Sequence, residues 1–370
     1  MINGAAEDRP LSLYIHIPFC FRKCDYCAFY SIADRSRAEE YYEVLIKELE
    51  CVVEDWKKPF LSVYIGGGNP GIIGYEKIIR LLELARRYGM PKEATVEFNP
   101  ENIDSSIEML KGYATRISVG IQSLNQNTLD ILGRNADRNA ALNALSILSS
   151  SGFDYNADII TAVPGESIED AFSDIKQIAS FNPTHISYYC LTFEEDTPLI
   201  KRLCPLSEET QSEFLKRGWQ LLEELGYEHY EVSAFSKKNK RSIHNQVYWN
   251  LDQYIGLGAT AESSFGYNPV ISARNKETVD AFIEKPELDC DYLSKVEEEE
   301  EYLMLRLRVK EGIDKRAYHE RFGYDFDKRF GDQISQLNPL WLDNDNDHLA
   351  LTENGLLFLD SIILTLVMAI

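Results

Sequence analysis

The chain has 370 residues, of which 44% are apolar and 26% are charged, and this is the profile of a globular protein with more than one hydrophobic core. Its formal net charge of −22 argues against nucleic acid as a partner, because the phosphate backbone attracts cationic surfaces. Residues 1–10 are polar and lack the apolar stretch of a signal peptide, so we expect a cytoplasmic protein.

Strand-like and helix-like segments alternate from residue 11 to about residue 235. The predicted strands are short and rich in β-branched or aromatic residues, and they cover residues 11–17, 62–65, 94–98, 116–121, 155–163, 185–192 and 228–232. One intervening helix is indicated by a stripe at helical spacing, formed by Tyr41, Leu45, Leu49, Val52 and Trp56. This alternation predicts parallel strands with right-handed crossovers, and hence an α/β barrel or part of one, with ligands at the carboxyl ends of the strands.

After residue 265 the elements become shorter. An acidic run over residues 297–301 precedes a predicted helix over residues 302–309, and we expect the run to be a solvated helix start, since carboxylates suit a helix N-terminus. The apolar run over residues 361–370 is too short to span a bilayer. We expect it to dock on the fold, and transient contact with a membrane surface is the alternative. The domain prediction is therefore a large α/β unit over residues 1–285 and a small, mostly helical unit over residues 286–370.

Three of the seven cysteines, Cys20, Cys24 and Cys27, fall within eight residues directly after the first predicted strand. Three thiolates at this spacing leave one iron of a [4Fe–4S] cluster free to take an amino-acid chelate. A zinc site is the alternative, and it would need a fourth ligand such as His16. The other cysteines are too scattered for a disulfide framework. We predict that they are buried as small apolar residues: Cys51, Cys190, Cys204 and Cys290.

The segment from Tyr14 to Cys20, with this cysteine spacing, resembles the HemN/HemW family of radical S-adenosylmethionine proteins. The likeness runs through most of the chain, in family order, over residues 66–70, 97–100, 118–123, 133–134, 158, 230–233 and 305–308. It implies a partial (β/α)6 radical S-adenosylmethionine barrel, followed by a HemN-type C-terminal domain. It also implies that the methionine end of S-adenosylmethionine binds the open iron.

The resemblance further implies which residues contact S-adenosylmethionine. Glycines let the backbone approach the cofactor closely, the Arg134 fork suits the methionyl carboxylate, and Glu97 suits a ribose hydroxyl or the amine. Tyr26 fits either a site beside the cluster or the core, and Asn69 stands where the family usually has threonine. The full predicted set is Tyr14, Tyr26, Gly67, Gly68, Asn69, Glu97, Gln122, Arg134 and Asp158.

A second motif distinguishes the groups within this family. The sequence His244-Asn-Gln-Val-Tyr248-Trp249 resembles the H-N-x-x-Y-W motif of the haem chaperones. Histidine is a common axial ligand of haem, and aromatic rings can stack on a porphyrin, so we predict haem contacts at these three residues. The alternative is a structural turn with buried aromatic side chains.

The resemblance thus implies a haem chaperone that holds haem, a [4Fe–4S] cluster and S-adenosylmethionine, and that transfers haem to acceptor proteins. An electron donor for the cluster is the second expected partner. The alternative is an oxygen-independent coproporphyrinogen III dehydrogenase, in which a 5′-deoxyadenosyl radical abstracts hydrogen from a propionate side chain before decarboxylation. That group carries a further cysteine just after the cluster motif, where this chain has Ala28 and Phe29. The chaperone is therefore favoured, and no residue is assigned a catalytic role.

Overall fold

The computed structural model of the chain describes residues 4–6, 8–267 and 269–370. Part of the N-terminal segment that we expected to lack a signal peptide, residues 1–3 and 7, lies outside these ranges. Within the described residues, no helix has the length and apolar character needed to cross a membrane.

The described residues form a twelve-stranded mixed sheet whose middle consists of six parallel strands in chain order. These strands are β1 (Ser12–Ile17), β2 (Ser62–Gly67), β3 (Glu93–Phe98), β4 (Arg116–Gln122), β5 (Asp154–Thr161) and β6 (His185–Cys190). The remaining strands of this sheet are β7 (Glu228–Glu231), β8 (Ala234–Ser236), β9 (Tyr254–Leu257), β10 (Glu262–Gly266), β11 (Val270–Arg274) and β12 (Asp289–Tyr292). The prediction of an α/β fold with a partial six-stranded parallel barrel is confirmed.

The two flanks of the parallel core differ. Strand β9 extends it in parallel beside β1, and β10, β11 and β12 continue outward as an antiparallel meander. On the other flank β8 pairs antiparallel with β6, and β7 pairs antiparallel with β8. The seventh predicted strand therefore exists, but its expected parallel pairing is wrong. Only two residues separate β7 from β8, and so short a connection can only return antiparallel.

Helices cover the outer face of the parallel strands and fill the connections. They are α1 (Ala38–Trp56), α2 (Tyr75–Ala85), α3 (Gln126–Ile131), α4 (Arg138–Ser151), α5 (Ile168–Ser180), α6 (Glu208–Glu224), α7 (Ile243–Trp249) and α8 (Val279–Glu284). The predicted stripe of α1 is buried in the main core. On β1, alternate residues Leu13, Ile15 and Ile17 join the same core, so the residues between them face the inside of the barrel.

The C-terminal region has its own core. It contains α9 (Lys295–Arg306), β13 (Ile313–Asp314), α10 (Lys315–Phe322), α11 (Phe326–Gln336), β14 (Leu342–Asn344), β15 (His348–Leu351), α12 (Glu353–Leu356) and α13 (Leu359–Val367). The apolar C-terminal run forms most of α13, and its buried face packs in this core, so docking is confirmed. Because β12 still pairs with β11 in the large sheet, the strand pairing of the barrel continues past residue 285. The predicted boundary at residues 285/286 stays a prediction.

Two sequence expectations fail in detail. The acidic run is not wholly solvated: Glu298 and Glu299 are each 2% exposed, and they form ion pairs with Arg321 and Arg329. The expected burial of the scattered cysteines is also wrong. Cys190 is half-buried at the end of β6, and three are exposed, on α1, in a loop and on edge strand β12: Cys51, Cys204 and Cys290.

The C-terminal region is joined to the barrel by backbone hydrogen bonds. The N–H of Val232 donates to the carbonyl of Arg308 at 2.8 Å, and the N–H of Lys310 donates to the carbonyl of Tyr230 at 3.1 Å. Two segments that resemble family motifs, one after β7 and one after α9, therefore contact each other directly.

Candidate functional site

The three clustered cysteines lie in a loop that leaves the carboxyl end of β1 and closes on itself. The N–H of Cys20 donates to the carbonyl of Ile32 at 2.9 Å, and the N–H of Ile32 donates to the carbonyl of Pro18 at 2.8 Å. Inside the loop, the N–H of Cys27 donates to the carbonyl of Cys24 at 3.2 Å in a tight turn. Burial raises the pKa of the Cys20 thiol to about 11, so a metal bound there must displace a proton.

Asp25 ties this loop to the segment after α3. Its carboxylate forms an ion pair with Arg202. Gly133 has a φ of 66°, and a Cβ there would lie 2.6 Å from the carboxyl carbon of Asp25, so this position requires glycine. The close approach also places the next residue, Arg134, beside the cysteines. Its Nη1 lies 3.5 Å from Sγ of Cys24.

The glycine triplet at the end of β2 packs directly against the start of the cysteine loop. Gly67 has a φ of 113°, and a Cβ there would lie 2.6 Å from the His16 ring. A Cβ on Gly68 would lie 2.7 Å from the carbonyl oxygen of Phe19 and 3.0 Å from Sγ of Cys20. The triplet therefore packs closely against the first cysteine, and the predicted approach of its backbone to the cofactor stays a prediction.

Two half-buried carboxyl side chains lie inside the barrel, and one of them contacts this triplet. Oε2 of Glu97 accepts the N–H of Gly67 at 3.1 Å, and Oε1 accepts the hydroxyl of Tyr64. Burial raises the pKa of Glu97 to about 7. Asp158 accepts from the amide of Asn156 at 2.7 Å, and burial also raises its pKa. The predicted contacts on β3 and β5 thus face the same interior.

Arg134 and Gln122 complete the candidate site beside the cysteine loop. Nη2 of Arg134 donates to the carbonyl of Gly120 at 2.6 Å and to Oδ1 of Asn99 at 3.3 Å. Among the described residues, neither Nε of Arg134 nor Oε1 of Gln122 has a hydrogen-bond partner, although both atoms are buried. Such atoms are costly unless a ligand satisfies them. The thiols, the glycine cradle and these polar atoms fit a three-thiolate cluster with a polar cofactor beside it.

Comparisons with known proteins place this site in a family. The Radical SAM superfamily model matches residues 14–178, and the HemN C-terminal domain model matches residues 293–358. Heme chaperone HemW of Haemophilus influenzae is 31% identical, and the alignment covers 96% of this chain and 97% of that protein. Heme chaperone HemW of Buchnera aphidicola is 30% identical with the same coverage. The chain belongs to the HemW family.

The fold agrees with this membership. The solved structure of the radical SAM enzyme coproporphyrinogen III oxidase (HemN) from Escherichia coli superposes with a TM-score of 0.82, covering 98% of this chain and 91% of that chain. Its 20% sequence identity means that the likeness concerns the fold alone. The superfamily match assigns this HemW-family chain a [4Fe–4S] cluster and S-adenosylmethionine.

His16 does not offer the ligand that a zinc site would need. Its Nε2 lies 3.1 Å from the carbonyl oxygen of Tyr30 and therefore carries the proton, while Nδ1 accepts the hydroxyl of Tyr14 at 2.8 Å. Burial lowers the pKa of His16 to about 4, so the ring is neutral. With both nitrogens engaged, the zinc alternative has no support from this residue in the HemW-family chain.

The remaining predicted S-adenosylmethionine contacts occupy different surroundings. Tyr14 faces the interior of the barrel, and Tyr26 packs on a small apolar cluster that includes Leu132 and Ile160. Asn69 is fully buried: its amide donates to Asn102 at 2.6 Å, and its Oδ1 accepts the N–H of Gly71 at 3.2 Å. Asn69 therefore holds the loop after β2 together, and its cofactor contact stays a prediction.

The H-N-x-x-Y-W motif lies at the other end of the barrel. It forms α7, beside the amino ends of β1 and β2, and His244 is 1% exposed. Its Nδ1 lies 2.8 Å from Oγ of Ser62, and its Nε2 lies 2.8 Å from the hydroxyl of Tyr248. In this arrangement both nitrogens of His244 are engaged, whereas an axial haem ligand needs a free lone pair. The predicted haem contacts at His244, Tyr248 and Trp249 stay a prediction, and axial ligation by His244 would require this helix to open.

Sequence reasoning missed two interior residues of this HemW-family barrel. Tyr64 bonds Glu97, and Arg116 is 6% exposed on β4. Among the described residues, Nε of Arg116 lacks a hydrogen-bond partner. The available signal was the period of two along a strand, because residues 62, 64 and 66 share a face of β2, as residues 116, 118 and 120 do on β4.

Proposed function

We propose that this chain is a haem chaperone that binds haem, a [4Fe–4S] cluster and S-adenosylmethionine, and transfers haem to acceptor proteins in the cytoplasm. The observation that carries the proposal is relatedness along nearly the whole chain to proteins named heme chaperone HemW. The second proposed partner is an electron donor for the cluster. The net charge of −22 argues against nucleic acid. Transient membrane contact is proposed only for residues that the docked C-terminal end leaves exposed, Leu364 and Met368.

In this proposal Cys20, Cys24 and Cys27 hold the cluster, which supplies an electron and an open iron when it is bound. Arg134 binds the cofactor carboxylate; its position beside the Cys24 thiol supports this role, as does its Nε, which has no hydrogen-bond partner within the described part of the chain. The glycine triplet and Glu97 bind polar groups of the cofactor from the neighbouring strands. These side chains orient the cofactor and exclude water from it.

The decisive experiment combines three measurements on anaerobically reconstituted protein: a haem titration, transfer of haem to an acceptor apoprotein, and turnover of coproporphyrinogen III. We expect haem binding and transfer without formation of protoporphyrinogen IX. The variant Cys24→Ala tests whether transfer depends on the cluster, and Cys51→Ala, which changes an exposed thiol on α1, is its matched control. Sustained formation of protoporphyrinogen IX would overturn the proposal in favour of the dehydrogenase.

A further inference from the structure

The ring of His244 stacks on the ring of Tyr64 inside the barrel. Their centroids are 4.9 Å apart and their planes are inclined by 24°. The ring of Tyr14 lies 6.5 Å from His244 and 6.2 Å from Tyr64, so the three rings form one interior layer. The motif histidine therefore contacts a residue of β2 that leads directly to the glycine triplet.

The orientation of the His244 ring is fixed from both edges. Oγ of Ser62 donates to Oγ of Ser12 at 2.9 Å, so Nδ1–H of His244 donates to Oγ of Ser62 and Nε2 accepts the hydroxyl of Tyr248. Helix α7 is itself anchored, because Glu93 on β3 accepts the backbone N–H of His244 at 3.0 Å. A ring held in this way presents one face to Tyr64 in a fixed orientation.

Tyr64 connects the ring of His244 to the predicted cofactor site. Its hydroxyl donates to Oε1 of Glu97, and Oε2 of Glu97 accepts the N–H of Gly67 at 3.1 Å. A Cβ on Gly66 would lie 2.7 Å from Oε2 of Glu97 and 2.8 Å from Cε1 of Tyr64, so these groups are in tight contact. A shift of the Tyr64 ring would move the carboxylate that holds the glycine triplet.

We infer that His244 is a positioning residue for S-adenosylmethionine, acting through Tyr64 and Glu97 from the opposite end of the barrel. The inference rests on the proposed cofactor site, because it requires Glu97 and the glycine triplet to contact the cofactor. It gives the H-N-x-x-Y-W helix a role that its buried histidine can perform without leaving its place. Opening of the helix towards haem would remove the stack on Tyr64 and thereby weaken the cofactor site.

The test measures S-adenosylmethionine affinity and the change that the cofactor produces in the electron paramagnetic resonance spectrum of the reduced cluster, in full-length protein reconstituted to equal iron content. His244→Ala removes the stacking ring and should weaken affinity about 10-fold, on the scale of one lost buried interaction. His244→Phe keeps a ring of similar size but loses both edge hydrogen bonds, so it should recover only part of the affinity that His244→Ala loses. Gln246→Ala is the matched control, since among the described residues its side-chain amide bonds the carbonyl of Ser242, the N-cap of the same helix.

A second variant guards against misfolding of His244→Ala. Tyr64→Phe keeps both rings and removes only the hydroxyl group that donates to Glu97. It should therefore lower S-adenosylmethionine affinity about 10-fold and shift the spectrum of the cofactor-bound cluster. Unchanged affinity and spectrum in His244→Ala would overturn the inference, as would unchanged values in Tyr64→Phe or an equal loss in Gln246→Ala. Failure of the proposed function is separable, because it would appear in the wild type as absent cofactor or haem binding.

Discussion

Replacement of Gly68 by alanine tests the cradle between the glycine triplet and the cysteine loop. The added Cβ would lie 2.7 Å from the carbonyl oxygen of Phe19, 3.0 Å from the carbonyl carbon of Pro18 and 3.0 Å from Sγ of Cys20. Two of these atoms belong to the backbone and cannot rotate away. A β-bridge joins Phe19 to Ile32, so this backbone can move away only together with the rest of the cysteine loop.

The size of the effect follows from these distances. Comfortable contact between non-bonded heavy atoms is about 3.5–4.0 Å, so the two segments must separate by roughly 0.5–1 Å. Overpacking of this kind costs about 1–3 kcal/mol, which is roughly a 10- to 100-fold change in an equilibrium constant. A cluster site tolerates displacements of only about 0.5 Å. We therefore expect Gly68→Ala to fold but to retain its cluster about 10- to 100-fold less tightly.

The assay is anaerobic reconstitution followed by iron and sulfide analysis, with chelator challenge to measure how tightly the cluster is held. Gly74→Ala is the control from the same connection: Gly74 has a φ of 87°, so alanine is strained there, but no described atom lies within 4 Å of its Cβ position. This control should keep its cluster. If Gly68→Ala resists the chelator as well as wild type does, the steric argument for the cradle is wrong.

Three further outcomes are expected. Cys24→Ala should lose the iron of about one cubane per chain, whereas Cys51→Ala should keep it, as iron analysis would reveal. Burial raises the pKa of Glu48 from 4.5 to about 7, so the folded state retains a proton that the unfolded chain releases, and stability falls as pH rises through this window. Between pH 4.5 and about 7, chemical denaturation should show the unfolding free energy of wild type falling by about 3 kcal/mol relative to that of Glu48→Gln. A difference that does not change with pH would contradict this. Glu299→Gln leaves Arg329 without its buried carboxylate and should cost about 2–4 kcal/mol in urea unfolding, and a cost below about 0.5 kcal/mol would refute that pairing.

Several features were predictable because their signals are local. The alternation of strands and helices, the buried stripe of α1 and the cysteine spacing each depend on residues within a few positions of one another. Backbone geometry converts those spacings directly into a strand face, a helix face or a small loop. The six parallel strands and the closed cysteine loop therefore agree with what the sequence indicated.

Other features depended on which distant segments meet. Glu298 and Glu299 looked solvated because the arginines that pair with them lie more than twenty residues away, on α10 and α11. The antiparallel return of β7 and the exposure of three scattered cysteines likewise follow from packing that local patterns do not encode.

His244 shows most clearly which features could be predicted from local sequence and which depended on distant segments. From the sequence we could predict the three-cysteine loop, the α/β alternation and the family likeness, because each depends on short spacings between residues of particular types. Nothing in the sequence indicated that His244 lies at the amino ends of β1 and β2, where it stacks on Tyr64 and bonds Ser62. Those partners are about 180 residues away in the chain and become neighbours only when the barrel forms around α7, since the burial of that helix depends on every strand packed against it.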